Sequence, residues 1–230
     1  MHQVLFVESG VFLFEDEHTR QVLFGEKIAY IPPNFTHRVF SIGKEVRFHS
    51  LYFQSKYELS GVSSIRFFYG SNLLRELIVS LEIHKKKSEV RSICLELFNK
   101  LLEEEVLEEV VNHICLPNAK EKRNQQIISY IDENFHQKIK LNDFQNVLPL
   151  STRQIDRIFQ SELKISPMEY LRLKRIQMSV VFLKTTNLSI VEIALECGFE
   201  SLSSFYENFE EIFHTSPKKF QRGEVLIRNQ

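Results

Sequence analysis

The sequence predicts an α+β protein: a small β-barrel with two helices, followed by an all-α region. Three observations predict it. Short runs rich in β-branched and aromatic residues, separated by turn residues, fill residues 1–53. Apolar residues recur at helical spacing between Asn72 and Ile114. From Asn124 onward helix follows helix, with no strand pattern.

The strand-like runs are Val4–Val7, Val11–Phe14, Gln21–Phe24, Ile28–Ile31, Arg38–Phe40 and Val46–Phe53. Turns are expected at Ser9-Gly10, Glu15-Asp16-Glu17, Gly25-Glu26, Pro32-Pro33-Asn34 and Ile42-Gly43-Lys44. A first helix is expected over Asn72–His84, on Leu73, Leu74, Leu77, Ile78 and Leu81. A second is expected over Glu89–Ile114, on Ile93, Leu97, Leu101, Leu107, Val110, Val111 and Ile114, with glutamates on its other face. Such an amphipathic pair beside a small barrel serves either as a homodimer interface through residues 89–114 or as packing on its own barrel. The polar stretch 117–123 reads as a linker between a domain at 1–116 and a domain at 124–230.

Composition narrows the function classes. A length of 230 residues suits one large or two small domains. Twenty Phe and no Trp imply Phe-rich cores. Cys94, Cys115 and Cys197 form no CxxC pair, so neither a disulfide framework nor a zinc centre is indicated. No apolar stretch is long enough to span a bilayer and no signal peptide is visible, which places the chain in the cytosol as an expectation. Net charge is −1, with 14 basic against 16 acidic residues in 1–120 and 15 against 14 in 121–230. A nucleic-acid binder usually shows a stronger basic bias.

The local chemistry of the second half is specific. Ser151 is a good N-cap for a helix over Thr152–Leu163. That helix has Ile155, Ile158 and Phe159 on one face and Thr152, Arg153, Asp156 and Arg157 on the other. Ser189 caps a short helix carrying Ile190, Ile193 and Ala194; Gly198 follows at a turn that suits a left-handed residue. Ser201 then caps a helix whose buried stripe is Phe205, Phe209 and Phe213. Two short helices joined by a tight turn, the second capped and polar-faced, are a helix-turn-helix. The segments ISPMEY and TSPKKF form an internal repeat, each with Ser then Pro starting a helix at Pro167 and at Pro217. Two such units on one connecting helix would reach consecutive major grooves, roughly 34 Å apart.

These stretches, above all IVEIALECGFESLSSFYENFEEIFHTSPKKF, resemble the AraC/XylS family of regulators over residues 125–223. The resemblance implies a double helix-turn-helix domain that binds double-stranded DNA, with RNA polymerase as a further partner. It implies a first recognition helix with Ser151, Thr152, Arg153, Asp156 and Arg157, and a second with Ser201, Ser203, Ser204 and Glu207. Arg172, Lys174, Arg175, Lys218, Lys219 and Arg222 are candidate phosphate contacts. The family usually places basic or neutral groups where this chain has Glu207, Glu210 and Glu211, so the second unit is expected to contact DNA more weakly.

FGEKIAYIPPNFTHRVF resembles the cupin-like effector domain of the same family, matching at Gly25-Glu26, Pro32-Pro33 and His37. Family members have further strands upstream, which implies an open or incomplete barrel here. It implies a small-molecule effector in a mostly apolar pocket lined by Phe12, Phe14, Tyr30, His37, Phe40 and Phe48. The histidine pair of metal-binding cupins would fall upstream of Met1. His18, His37 and His49 therefore make no ligand set, and neither metal nor cofactor is expected. No nucleophile and base stand in a recognised arrangement, so no catalytic residue and no enzyme activity are expected. The leading expectation is a transcription regulator. The rival is a protein-interaction regulator with weakened DNA contacts that modulates a partner transcription factor.

Overall fold

The computed structural model describes residues 1–25, 27–54, 62, 64–107 and 114–223. Its contacts group the chain into two compact units, Met1–Phe14 with Leu23–Val111, and Glu15–Val22 with Asn112–Gln230.

The first unit is a curled antiparallel sheet carrying two helices, the half-barrel class the sequence predicts. Strand β1 (His2–Asp16) pairs with β3 (Lys27–Ile31), placing Val4 opposite Tyr30 and Phe6 opposite Ile28. β3 pairs in turn with β5 (Arg66–Tyr69), and β4 (His37–Phe53) pairs with β1. Alternate residues face opposite sides. Val4, Phe6, Ile28, Tyr30, Leu51, Phe53 and Phe68 join one buried cluster with Leu74, Leu77, Ile78, Phe98 and Leu102 of the helices. Leu5, Val7, Phe12, Phe14, Ala29, Ile31 and Phe67 form a second cluster. Both faces of β1 and β3 are therefore apolar, which is why these strands read as continuous hydrophobic runs.

Two predicted turns are bends inside strands. Val4–Val7 and Val11–Phe14 are one strand, kinked at Gly10 (φ +92), and Arg38–Phe40 and Val46–Phe53 are one strand containing Gly43 (φ +109). A Cβ on Gly10 would sit 3.0 Å from Val46 Cγ1 and 3.1 Å from Glu45 O, so a larger residue would be strained at this φ and would push β4 back by a few tenths of an ångström. The Gly25-Glu26 turn falls in part outside the described residues, at Glu26.

Helix α1 (Asn72–Ile83) is capped by Ser71 and α2 (Glu89–Glu105) by Ser88. Arg91 donates to the carbonyls of Leu81 (2.7 Å) and His84, satisfying the end of α1. The second predicted helix is too long. α2 ends at Glu105, residues 108–113 lie outside the described residues, and Cys115–Pro117 is a strand, β6. The register explains the switch: Thr19, Arg20 and Gln21 of β2 (Thr19–Phe24) pair with Pro117, Leu116 and Cys115. Helical spacing cannot anticipate a strand held by a distant partner.

The second unit is helical apart from that pairing: α3 (Lys122–Asn134), a 3₁₀ segment at Leu141–Asn146, α4 (Thr152–Leu163), α5 (Pro167–Thr185), α6 (Ile190–Glu196), α7 (Leu202–Phe213) and α8 (Pro217–Gln221). α3 begins inside the stretch expected to be linker. Its core holds Ile127, Ile131, Phe144, Ile155, Phe159, Tyr170, Ile176 and Val180, continuing through Ile193, Phe199, Phe205, Phe209, Phe213 and Phe220. The eight-residue tip Glu15–Val22 is built into this unit. Arg20 pairs with Glu15 (2.9 Å) and with Asp132 of α3 (2.7 Å), while Lys174 of α5 reaches the other oxygen of Asp132 (2.8 Å). Asn118 donates to Asp16 O (2.7 Å) and its backbone N–H to His18 O (2.7 Å).

Candidate nucleic-acid interface

The first helix-turn-helix unit ends in α4. Ser151 takes an extended backbone (φ −64, ψ 152) and closes a capping box: its Oγ accepts from Gln154 N (3.3 Å), and Gln154 Oε1 accepts from Ser151 N (3.0 Å). Ile155, Phe159 and Leu163 are buried, which turns Arg153 and Arg157 to solvent. Thr152 and Asp156 are half-buried, and Asp156 accepts from Gln160 (3.0 Å). Neither Arg153 nor Arg157 makes an ion pair among the described residues. Glu162, the other carboxylate on the same helix, is engaged elsewhere. It accepts from the backbone N–H groups of Lys120 (2.5 Å) and Glu121 (3.0 Å) and from Asn124 Nδ2 (2.6 Å). Burial raises the Glu162 pKa, but these hydrogen bonds and the Lys120 charge outweigh it, and the carboxyl is held below its usual range. The last turn of α4 thus anchors the start of α3.

The second unit turns at Gly198. α6 is capped by a Ser189–Glu192 box, and Cys197, whose thiol burial pushes up to about 12, closes its C-terminus. Gly198 takes φ +77 and Phe199 N returns to Ala194 O (3.0 Å). A Cβ at Gly198 would lie 2.5 Å from Phe135 O and 2.9 Å from His136 O. The turn of the second unit therefore rests directly on the end of α3, in the first. Arg175 fastens the same place, donating to Phe135 O (2.9 Å) and Gln137 O (2.7 Å), and Lys138 pairs with Glu200 (2.9 Å).

On α7, Ser201 is the N-cap and accepts from Ser204 N (3.1 Å). Ser203 and Glu207 are exposed, and Ser204 is half-buried with its Oγ accepting from Asn208 (3.3 Å). Glu210 is exposed, and Glu211 is held by Arg172 (2.8 and 3.3 Å). Three of the six candidate phosphate contacts are internal struts. Arg172 bonds Glu169, Asn208 and Glu211 at once; Lys174 lies on Asp132 with its side chain 14% exposed; Arg175 caps α3. The carboxylate of Glu169, then that of Glu211, raises the Arg172 pKa further. Lys218 and Lys219 of α8 and Arg222 beyond it are exposed. Sequence reasoning missed Asp132, Glu162 and Asn208, polar residues whose partners lie on other helices.

The expected effector-pocket residues do not share one surface. Phe12 and Phe14 are buried in one cluster of the first unit, with Phe48 edge-on to Phe12 (5.1 Å), whereas Tyr30 points into the other cluster. Phe40 is exposed and His37 half-exposed, with its Nδ1 on Phe35 O (3.0 Å).

A helix-turn-helix domain family matches residues 146–223. The HTH-type transcriptional regulator GbdR of Pseudomonas aeruginosa is 32% identical over 102 residues, 44% of this chain and 28% of that protein. The uncharacterized HTH-type transcriptional regulator YbfP of Bacillus subtilis is 34% identical over 101 residues, again 44% of this chain and 34% of that one. A probable AraC family transcriptional regulator from Rhodopseudomonas palustris, known by crystal structure, is 25% identical over 45% of this chain and 97% of its own, with a TM-score of 0.42. The chain thus spans about a third of the length of these curated relatives. The stretch 146–223, which holds α4 to α8, is thus a helix-turn-helix domain of the AraC/XylS type.

Proposed function

We propose that the protein is a sequence-specific DNA-binding transcription regulator, reading DNA chiefly through α4. One observation carries this reading: Arg153 and Arg157 project from a capped, well-packed helix with no ion pair among the described residues, while the other arginines of the helical core are consumed internally. An arginine so placed supplies a bidentate contact to guanine or grips phosphate. The test is selection of duplexes from a random library by the intact chain, followed by titration of the selected site. Arg157→Ala is expected to weaken binding about ten-fold or more, the lower end of the discrimination of one bidentate contact, with no change in melting temperature. Failure to select any sequence would move the weight to a protein-interaction regulator, a reading favoured by exposed Glu207 and Glu210 on α7.

Homodimer formation is part of the same proposal. On α2, Val90 (69% exposed), Ile93 (60%) and Leu97 (38%) form an apolar stripe at helical spacing. Leu101 is partly buried against the unit's own core and Leu107 lies beyond the end of α2, so the stripe sits earlier than the sequence suggests. Ile93→Glu with Leu97→Glu should give a folded monomer in sedimentation. Contacts with RNA polymerase, an effector response and a cytoplasmic location complete the proposal; no described helix is long and apolar enough to cross a membrane.

A further inference from the structure

We propose that the cleft between β1, β4 and α1 binds a small organic ammonium ion. The cleft has a volume of about 420 Å³, within the range of small-ligand sites, and is lined by Phe6, Glu8, His49, Asn72, Arg75, Glu76 and Val79. It lies on the helix side of the sheet, where Phe6 belongs to the cluster shared with α1 and α2. Phe12 and Phe14, the expected lining of an effector pocket, belong to the other cluster. All seven lining residues are in the first unit, so the inference does not rest on the DNA reading.

His49 sets the chemistry. Its Nδ1 lies 2.6 Å from Glu82 Oε2, and its ring stacks on Phe6 (6.2 Å, 18°). A carboxylate only accepts, so Nδ1 carries the proton and Nε2 of the neutral ring is an acceptor. Nε2 stands 3.8 Å from Glu8 Oε2, too far for a direct hydrogen bond. That separation is the bite one ammonium nitrogen spans when it donates to both atoms at about 2.8–2.9 Å. The surroundings are net negative, opposite in sign to the amine. Glu8, Glu76 and Glu82 face two guanidinium groups, of which Arg75 donates to Asn72 Oδ1 (2.5 Å) and Arg47 stands 3.6 Å from Glu8 Oε1. Phe6 and Val79 supply an apolar wall for a short alkyl chain. Among the described residues no group of three His, Cys, Asp or Glu is arranged for a metal ion, so an organic cation fits better than a metal.

The test uses the full chain and butylammonium chloride as the probe, followed by calorimetry and by thermal shift. Saturable binding in the low millimolar range is expected for five heavy atoms. Glu8→Gln and Glu76→Gln should each weaken it about ten-fold or more, whereas Glu103→Gln, on α2, should leave it unchanged. Glu8 and Glu76 are exposed, so both variants should melt as the parent does; if one unfolds, the other carries the test. Four results would overturn the proposal: no saturable signal; an equal shift from sodium chloride at matched ionic strength; tighter binding of sodium butanoate, which would make the cleft an anion site on Arg75; or zinc chloride displacing the amine through His49.

Discussion

Gly198→Ala is the most stringent test of how the two helix-turn-helix units are joined. The new methyl would meet Phe135 O at 2.5 Å and His136 O at 2.9 Å, backbone atoms that belong to the end of α3 and cannot swing aside. The residue must also hold φ +77, which costs a non-glycine residue roughly 1–2 kcal/mol. Overpacking against a fixed neighbour adds about 1–3 kcal/mol. Together the two terms come to about 3 kcal/mol, a large fraction of the roughly 5–15 kcal/mol that stabilises a domain. For a unit of this size each kcal/mol moves the midpoint by about 3–5 °C, so a loss of roughly 9–15 °C is expected in calorimetry of the full chain. Gly25→Ala is the control, because its added Cβ meets nothing within 4 Å. A loss at Gly198 no larger than at Gly25 would refute the claim that the second turn is seated on α3.

Further expectations concern charge. Arg172→Ala should lower affinity for the selected duplex while leaving the slope of log K against log salt unchanged, because its guanidinium is spent on Glu169, Asn208 and Glu211; a phosphate contact would instead reduce that slope by about one. Glu207→Ala should bind DNA as well as the parent or better, and a large loss would show that Glu207 reads a base. Glu162 contributes stability that is fully present above its unfolded pKa and is lost as pH falls through its depressed folded value. Melting temperatures from pH 7 down to 3 should therefore fall less steeply in Glu162→Gln than in the parent, and parallel curves would count against this anchor.

What the sequence made legible was local. The bounds of α4 follow from Ser151 and the apolar spacing behind it, and the stripe of α7 from Phe205, Phe209 and Phe213. The left-handed turn follows from the one glycine between Ala194 and Phe199. What it hid was pairing at a distance. β6 is three residues long and exists because β2 lies beside it, so nothing in Cys115-Leu116-Pro117 announces a strand. Gly10 and Gly43 resemble turn residues because bends and turns ask the same of the backbone. Arg172, Lys174 and Arg175 looked like a basic face because a charge pattern on one helix says nothing about Glu211, Asp132 or the Phe135 carbonyl on others.

The docking of Arg20 on Asp132 joins residues 112 apart in the chain. Closing a span of that length costs about 4 kcal/mol of chain entropy, against about 2–3 kcal/mol for the short spans between neighbouring helices. Folding order follows. α3 to α8 contact one another over short separations and can assemble early, whereas the Glu15–Val22 tip must wait until the helices offer Asp132 and β6 offers an edge. During synthesis that tip leaves the ribosome about a hundred residues before its partners do. The acidic tip is thus the last piece of the helical unit to settle, and the first whose amide protons should exchange with solvent.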